Sequence, residues 1–106
     1  MGAKDLSPVL RAIADPKRRQ ILDLLAGQDM PVGQIADRFR ISRPAVVKHL
    51  RVLHSASLIS VRRSGRQRFQ CLNAQPLKNV ETWVSRFEAL WDRHLQRLKQ
   101  QVESDL

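Results

Sequence analysis

The residues best equipped for chemistry are cations. Arg43, Lys48, Arg51, Arg62, Arg63, Arg66 and Arg68 all fall within residues 41–73, and no Asp or Glu occurs between Asp37 and Glu81. Guanidinium and ammonium groups gathered without counter-charges bind anions, and a guanidinium meets a phosphate or a guanine edge with two parallel hydrogen bonds. This stretch supplies seven of the nine net positive charges of a 106-residue chain in which nineteen Lys and Arg outnumber ten Asp and Glu. Its flanks are close to neutral. An anionic partner follows, a nucleic acid or a membrane surface, and a basic block inside well-patterned sequence rather than in a tail reads as a nucleic-acid footprint.

Other chemistries find less support. No nucleophile stands beside a base in a recognisable local context, and there is no glycine-rich phosphate loop and no carboxylate cluster, so neither an enzyme nor a bound cofactor is expected. The one cysteine, Cys71, excludes a disulfide framework and any thiolate metal cluster within one chain; it reads as a packed thiol. No apolar run approaches the length of a membrane span and no export leader is evident, so a cytoplasmic protein without membrane contact is expected.

These cations need elements to position them, and the apolar periodicity supplies a series of helices and one hairpin. Leu6, Val9, Leu10 and Ile13 mark a first helix over about 5–14. Asp15-Pro16 reads as an N-cap and first helical residue of a second helix, which Gly27 can stop in a left-handed conformation. Val32, Ile35, Ala36 and Phe39 form the inner face of a third. After a three-residue turn, Ser42 caps a fourth helix with Pro44 in its first turn. There Val46, Leu50 and Leu53 face inward, while Arg43, Val47, Lys48, Arg51 and His54 face out; His49 points toward the core. Past Leu58 the period changes to alternation: Ile59 and Val61, a Ser64-Gly65 turn, then a return strand from Arg66 to Leu72. Pro76 opens the longest periodic run, with Leu77, Val80, Val84, Phe87, Trp91, Leu95 and Leu98 stepping by three or four; as one helix over about 76–104 it spans about 43 Å. One small domain cannot cover such a helix, so this face is expected at a homodimer interface, Trp83 and Trp91 within it. The whole is a single domain, mainly α with a small β-hairpin: a helix-turn-helix over about 32–55, a wing over about 58–72 and a long C-terminal dimerisation helix.

The run from Ala14 to Leu25, the segment from Pro31 to Phe39, and Ile41-Ser42-Arg43-Pro44-Ala45-Val46-Val47-Lys48-His49-Leu50-Arg51-Val52-Leu53 resemble ArsR-type bacterial repressors. The wing from Leu58 to Phe69 fits the same pattern, so the similarity covers about residues 6–100. It implies a homodimeric winged helix-turn-helix protein that occupies a DNA operator, an imperfect palindrome, with its recognition helix in the major groove. On the matching positions Arg43, Pro44, Val47 and Lys48 would face base edges, while Ser42 and Arg51 would hold phosphates. Val47 departs from the serine usual in the family; it cannot hydrogen-bond a base but can pack on a thymine methyl. The wing arginines Arg62, Arg63, Arg66 and Arg68 are further phosphate candidates, with no acid near them in sequence, and one of them is a candidate for a narrowed minor groove.

The resemblance also bears on sensing. The family's Cys-x-Cys metal site on the third helix is absent, since that stretch is Val32-Gly33-Gln34-Ile35-Ala36-Asp37. A second family site begins with Asp-x-His; Asp92-Arg93-His94 has that first half, but no later histidine completes it, and zinc would find too few nitrogen donors. The expectation is metal-independent regulation, with any inducer, small molecule or protein, left open. Two rivals make different predictions. A sequence-indifferent architectural or RNA-associated protein would bind nucleic acid with a steep salt dependence but little sequence preference, and a protein-docking module would sediment as a monomer.

Overall fold

The computed structural model describes residues 5–105, which form six helices and one hairpin. Helix α1, Ser7–Ile13, is short, and two arginines from the next helix cap its carbonyl end: Arg18 donates to the carbonyls of Ala12 at 2.7 Å and Arg11 at 3.0 Å, and Arg19 to that of Ile13 at 2.7 Å. Cations there satisfy orphan carbonyls and complement the helix dipole. Helix α2, Pro16–Gly27, starts as expected: the Asp15 carboxylate accepts from the Arg18 amide at 2.9 Å. Its end differs from expectation. Gly27 is the last helical residue and not left-handed; the chain leaves through Gln28 in extended conformation (φ −168°).

Left-handed backbone falls instead on Arg40 (φ 54°), Ser57 (φ 60°) and Gly65 (φ 61°). Arg40 ends α3, Val32–Phe39, and its amide and that of Ile41 both bond to the Ala36 carbonyl, closing the tight turn into α4, Arg43–Ser55. Ser57 performs the corresponding reversal after α4, where the Leu58 amide bonds to the Leu53 carbonyl and aims the chain into the hairpin. Strands β1, Ile59–Ser64, and β2, Gln67–Leu72, pair antiparallel from Ile59↔Leu72 to Ser64↔Gln67. The turn is Gly65-Arg66 rather than Ser64-Gly65, with positive φ only at its first residue, the position where a type II′ hairpin demands glycine.

The core lies under α4. Ile21, Met30, Ile35, Val46, Leu53 and Leu58 are fully buried, with Leu22, Leu25 and Leu50 nearly so. The inward face read from Val46, Leu50 and Leu53 is therefore the face the fold uses.

The C-terminal run is not one helix. It divides into α5, Gln75–Ser85, and α6, Glu88–Asp105, with a turn at Arg86-Phe87 where amides bond to carbonyls three residues back. Neither proline nor glycine marks the break. Two hydroxyls do: Thr82 donates to the Lys78 carbonyl and Ser85 to the Thr82 carbonyl, at 2.9 and 2.7 Å, and such back-bonding bends helices. Trp83 and Phe87 pack edge to face across the break, ring centres 5.3 Å apart. Helix α5 lies against α1, and its Leu77 and Val80 pack on the core; α6 projects away. Accordingly the radius of gyration is 19.0 Å, where a compact chain of this length has about 13 Å.

Candidate nucleic-acid interface

Helix α4 is fixed at both ends before it presents anything. At its start the Ser42 hydroxyl accepts from the Ala45 amide at 3.2 Å, which leaves its O–H free to donate outward. Near its end His54 Nε2 meets Gln70 Oε1 at 3.0 Å, so His54 is tied to the wing rather than facing solvent freely. Gln70 is the buried polar residue of the core region, and its backbone exchanges two bonds with Met30, 2.7 and 3.1 Å. One glutamine thus locks together the recognition helix, the segment leading into α3 and the wing. Gln70 escapes sequence reasoning because an isolated glutamine in a strand carries no motif.

The outer face of α4 gathers the expected residues. Ser42, Arg43, Pro44, Val47, Lys48 and Arg51 line one open groove, all exposed except half-buried Val47. Val47 and Arg51 also belong to a second groove, between α4 and the hairpin, with His54, Val61 and Arg68. The two grooves form one surface running from helix to wing. His49 turns the other way; its Nδ1 lies 3.9 Å from the Asp15 carboxylate. The Arg18 amide hydrogen bond lowers the Asp15 pKa, and the nearby Arg18 and His49 charges add to it.

Arg43 has an unexpected neighbour. A Cβ added to Gly33 of α3 would stand 2.6 Å from an Arg43 Nη and 3.0 Å from its Cζ, so the guanidinium lies over the glycine. Only a residue without a side chain permits that pose.

The four wing arginines divide. Cross-strand partners share a face, so Arg63 and Arg68, directly paired, lie on the side of Val61 and Gln70, toward α4. Like charges directly opposite one another are unfavourable unless an anion joins them. Arg66 stands exposed in the hairpin turn. Arg62 belongs to the opposite face: its Nε donates to Asp29 at 3.2 Å and its guanidinium lies 4.6 Å from the Phe69 ring centre. The expectation that no acid reaches the wing arginines therefore fails for Arg62. Asp29 is 33 residues away in sequence and is brought there by the Met30–Gln70 bridge. Half-buried Cys71 lies on this same far side; burial, chiefly, and the neighbouring Asp29 push its thiol pKa up, which keeps it protonated and poorly nucleophilic.

The residues expected at a dimer interface also separate into two groups. Leu77 and Val80 are half-buried against the subunit's own core, whereas Val84, Phe87, Trp91, Leu95 and Leu98 are 40–62% exposed. Among the described residues no three His, Cys, Asp or Glu side chains are grouped as metal ligands would be, and no helix is long and apolar enough to cross a membrane.

Two short helices joined by a tight turn, the second presenting a basic face continuous with a hairpin, define a winged helix-turn-helix DNA-binding regulator. Comparison with known proteins agrees. The profile of the family described as "Bacterial regulatory protein, arsR family" matches residues 15–61, from the α2 cap into β1. The transcriptional repressor SdpR of Bacillus subtilis is 43% identical over 82 residues, 77% of this chain and 91% of that protein. The HTH-type transcriptional regulator Rv2034 of Mycobacterium tuberculosis is 37% identical over 90% of this chain and 86% of its own length. Among solved structures, an ArsR-like transcriptional regulator from Rhodococcus sp. RHA1 superposes with a TM-score of 0.77 at 32% identity, covering 93% of this chain and 91% of that one. The chain belongs to the ArsR family of bacterial transcriptional regulators, which are not enzymes.

Proposed function

We propose that this protein is a homodimeric repressor that works in the cytoplasm, occupies an imperfect palindromic operator, and does so without a metal. The observation that carries the DNA-binding reading is the uncompensated basic strip running from Ser42 through Lys48 and Arg51 to the facing pair Arg63 and Arg68. Within it, Arg43, Pro44, Val47 and Lys48 meet base edges, Arg43 by bidentate bonds to guanine and Val47 by apolar contact with a thymine methyl. Ser42, Arg51, Arg63, Arg66 and Arg68 hold phosphates and supply most of the affinity. Arg62, engaged by Asp29, contributes less.

Dimerisation is supported by the apolar face of α5 and α6 that the subunit leaves uncovered, and by a relative: a winged helix-turn-helix DNA-binding domain from Mycobacterium bovis described as homodimeric, TM-score 0.64 at 27% identity over 87% of this chain and 82% of that one. Two-fold symmetry then places two half-sites about one helical turn apart. Metal independence rests on the absence of cysteine from α3 and the lack of a second histidine after His94. Selection of bound duplexes from a random pool tests the whole reading. An enriched palindrome is the expected result; binding with a steep salt dependence and no enrichment would identify a sequence-indifferent architectural protein instead.

A further inference from the structure

The wing has little to hold its angle. A two-stranded hairpin is marginal on its own, and the far end of this one, Ser64 to Gln67, is exposed. Nor is it closely packed on α4: an open groove of about 220 Å3 runs between Val47 and Leu50 of the helix and Val61 of β1. What crosses is a side-chain hydrogen bond. His54 Nε2 meets Gln70 Oε1 at 3.0 Å, and among the described residues this is the one hydrogen bond between α4 and either strand. An amide oxygen can only accept, so the imidazole carries its proton on Nε2 and donates it.

Both ends of the bond are themselves well held. Gln70 is 5% exposed, and its backbone exchanges two hydrogen bonds with Met30. His54 sits in the last turn of α4, the same helix that presents Val47 and Lys48. Arg68 shares a strand face with Gln70, two residues or about 7 Å along, and Arg63 is paired directly opposite it. A shift of Gln70 relative to His54 would therefore carry both arginines away from their places beside the recognition helix.

We propose that His54 and Gln70 are positioning residues for DNA: their hydrogen bond braces the wing at the angle where Arg63, Arg68 and the outer face of α4 engage one duplex together. This rests on the DNA-contact reading above, and it gives neither residue a contact with DNA. A braced wing has less freedom to lose on binding, so the bond adds affinity without adding a phosphate contact.

A cycle of variants tests it, read by affinity for a duplex that the native chain binds, over a range of salt concentrations. His54→Leu and Gln70→Leu each remove the bond, and the double variant replaces both partners with apolar groups, leaving no buried acceptor unpaired. Each single variant is expected to bind about fivefold more weakly, and the double variant no more weakly than the singles, because all three lose the same bond. The salt slope stays native, since no phosphate contact is removed. His54→Gln, which again offers an N–H to Gln70, is expected to bind as the native chain does. His54 is exposed, so its two variants decide the matter even where Gln70→Leu does not fold. Native affinity in Gln70→Leu, losses that add in the double variant, a His54→Gln as weak as His54→Leu, or a slope lowered by about 1 in His54→Leu would overturn the brace. A native chain that binds no duplex would overturn the DNA-contact reading itself.

Discussion

The body of the protein, α1 to β2, and its C-terminal arm, α5 and α6, spend their apolar residues differently. The body buries Ile21, Met30, Ile35, Val46, Leu53 and Leu58 completely and keeps its surplus charge on one surface. Among the described residues the arm has none that is buried, although Phe87, Leu90, Trp91, Leu95, Leu98 and Val102 line it. It also carries five basic and five acidic residues over 74–106, with no net charge. Leucine and tryptophan at helical spacing left open to water mark an interaction surface, which the proposed dimer would cover. On the proposed function the same difference separates the two partners: the charged body would meet a polyanion, and the neutral arm protein.

The largest effect that could break this division comes from matched truncations. Leu53→Ala removes a fully buried side chain and should cost about 2–5 kcal/mol, a large share of the roughly 5–15 kcal/mol that holds a domain together. Leu95→Ala removes the same atoms from the arm, yet should leave the subunit's fold intact by circular dichroism and lower the dimer fraction in sedimentation. If Leu95→Ala instead unfolds the monomer as Leu53→Ala does, the arm belongs to the body's core.

The wing sharpens the comparison within the body. Arg63→Ala and Arg68→Ala should each weaken binding to any duplex and lower the slope of log affinity against log salt by about 1. Arg62→Ala should lower that slope by clearly less, because its guanidinium is held by Asp29 and Phe69 on the far face. Equal slopes for all three single variants would mean that Asp29 releases Arg62 when DNA binds.

A smaller and more specific effect is expected at Gly33. Alanine there suits a helix better than glycine, by about 1 kcal/mol, so thermal stability should hold or rise. Its methyl group, however, would crowd the Arg43 guanidinium, the mobile end of a flexible side chain, and move it. The expected signature is a change of a few-fold in the ratio of affinities for cognate and scrambled duplexes, with the salt slope unaltered. A variant with native discrimination would show that Arg43 leaves Gly33 before it reads a base.

How much of this was legible in sequence follows from how local each cause is. The Asp15 and Ser42 caps, the change of period after Leu58, and the inward face of Val46, Leu50 and Leu53 are all written within a few residues, and all stand where expected. The surface line-up of Ser42, Arg43, Lys48 and Arg51 follows from the helix alone. What was hidden depends on distant residues or on unmarked conformations. Asp29 reaches Arg62 and Gln70 joins His54 only after the chain has folded. Arg40 and Ser57 take left-handed turns that glycine usually signals, while Gly27, which carries the signal, stays helical. The division at Arg86-Phe87 has no helix breaker; it comes from two hydroxyls bonding back along the helix.

The smallest effect concerns pH and isolates the body from the arm. Asp15 caps α2 and faces His49 of the recognition helix, and its folded pKa lies below the unfolded value of about 3.9. A depressed carboxylate stabilises the fold above the unfolded pKa, and that contribution disappears as pH falls through the folded pKa. Asn caps a helix about as well as Asp but carries no charge. Asp15→Asn should therefore be less stable than the native chain at pH 7, and the two urea midpoints should converge as the pH drops below 4. The remaining carboxylates are common to both proteins, so the difference between the midpoints reports Asp15 alone. A gap that persists unchanged at pH 2–3 would show that the variant loses cap geometry rather than charge, and that the carboxylate's contact with the recognition helix adds nothing to the stability of the body.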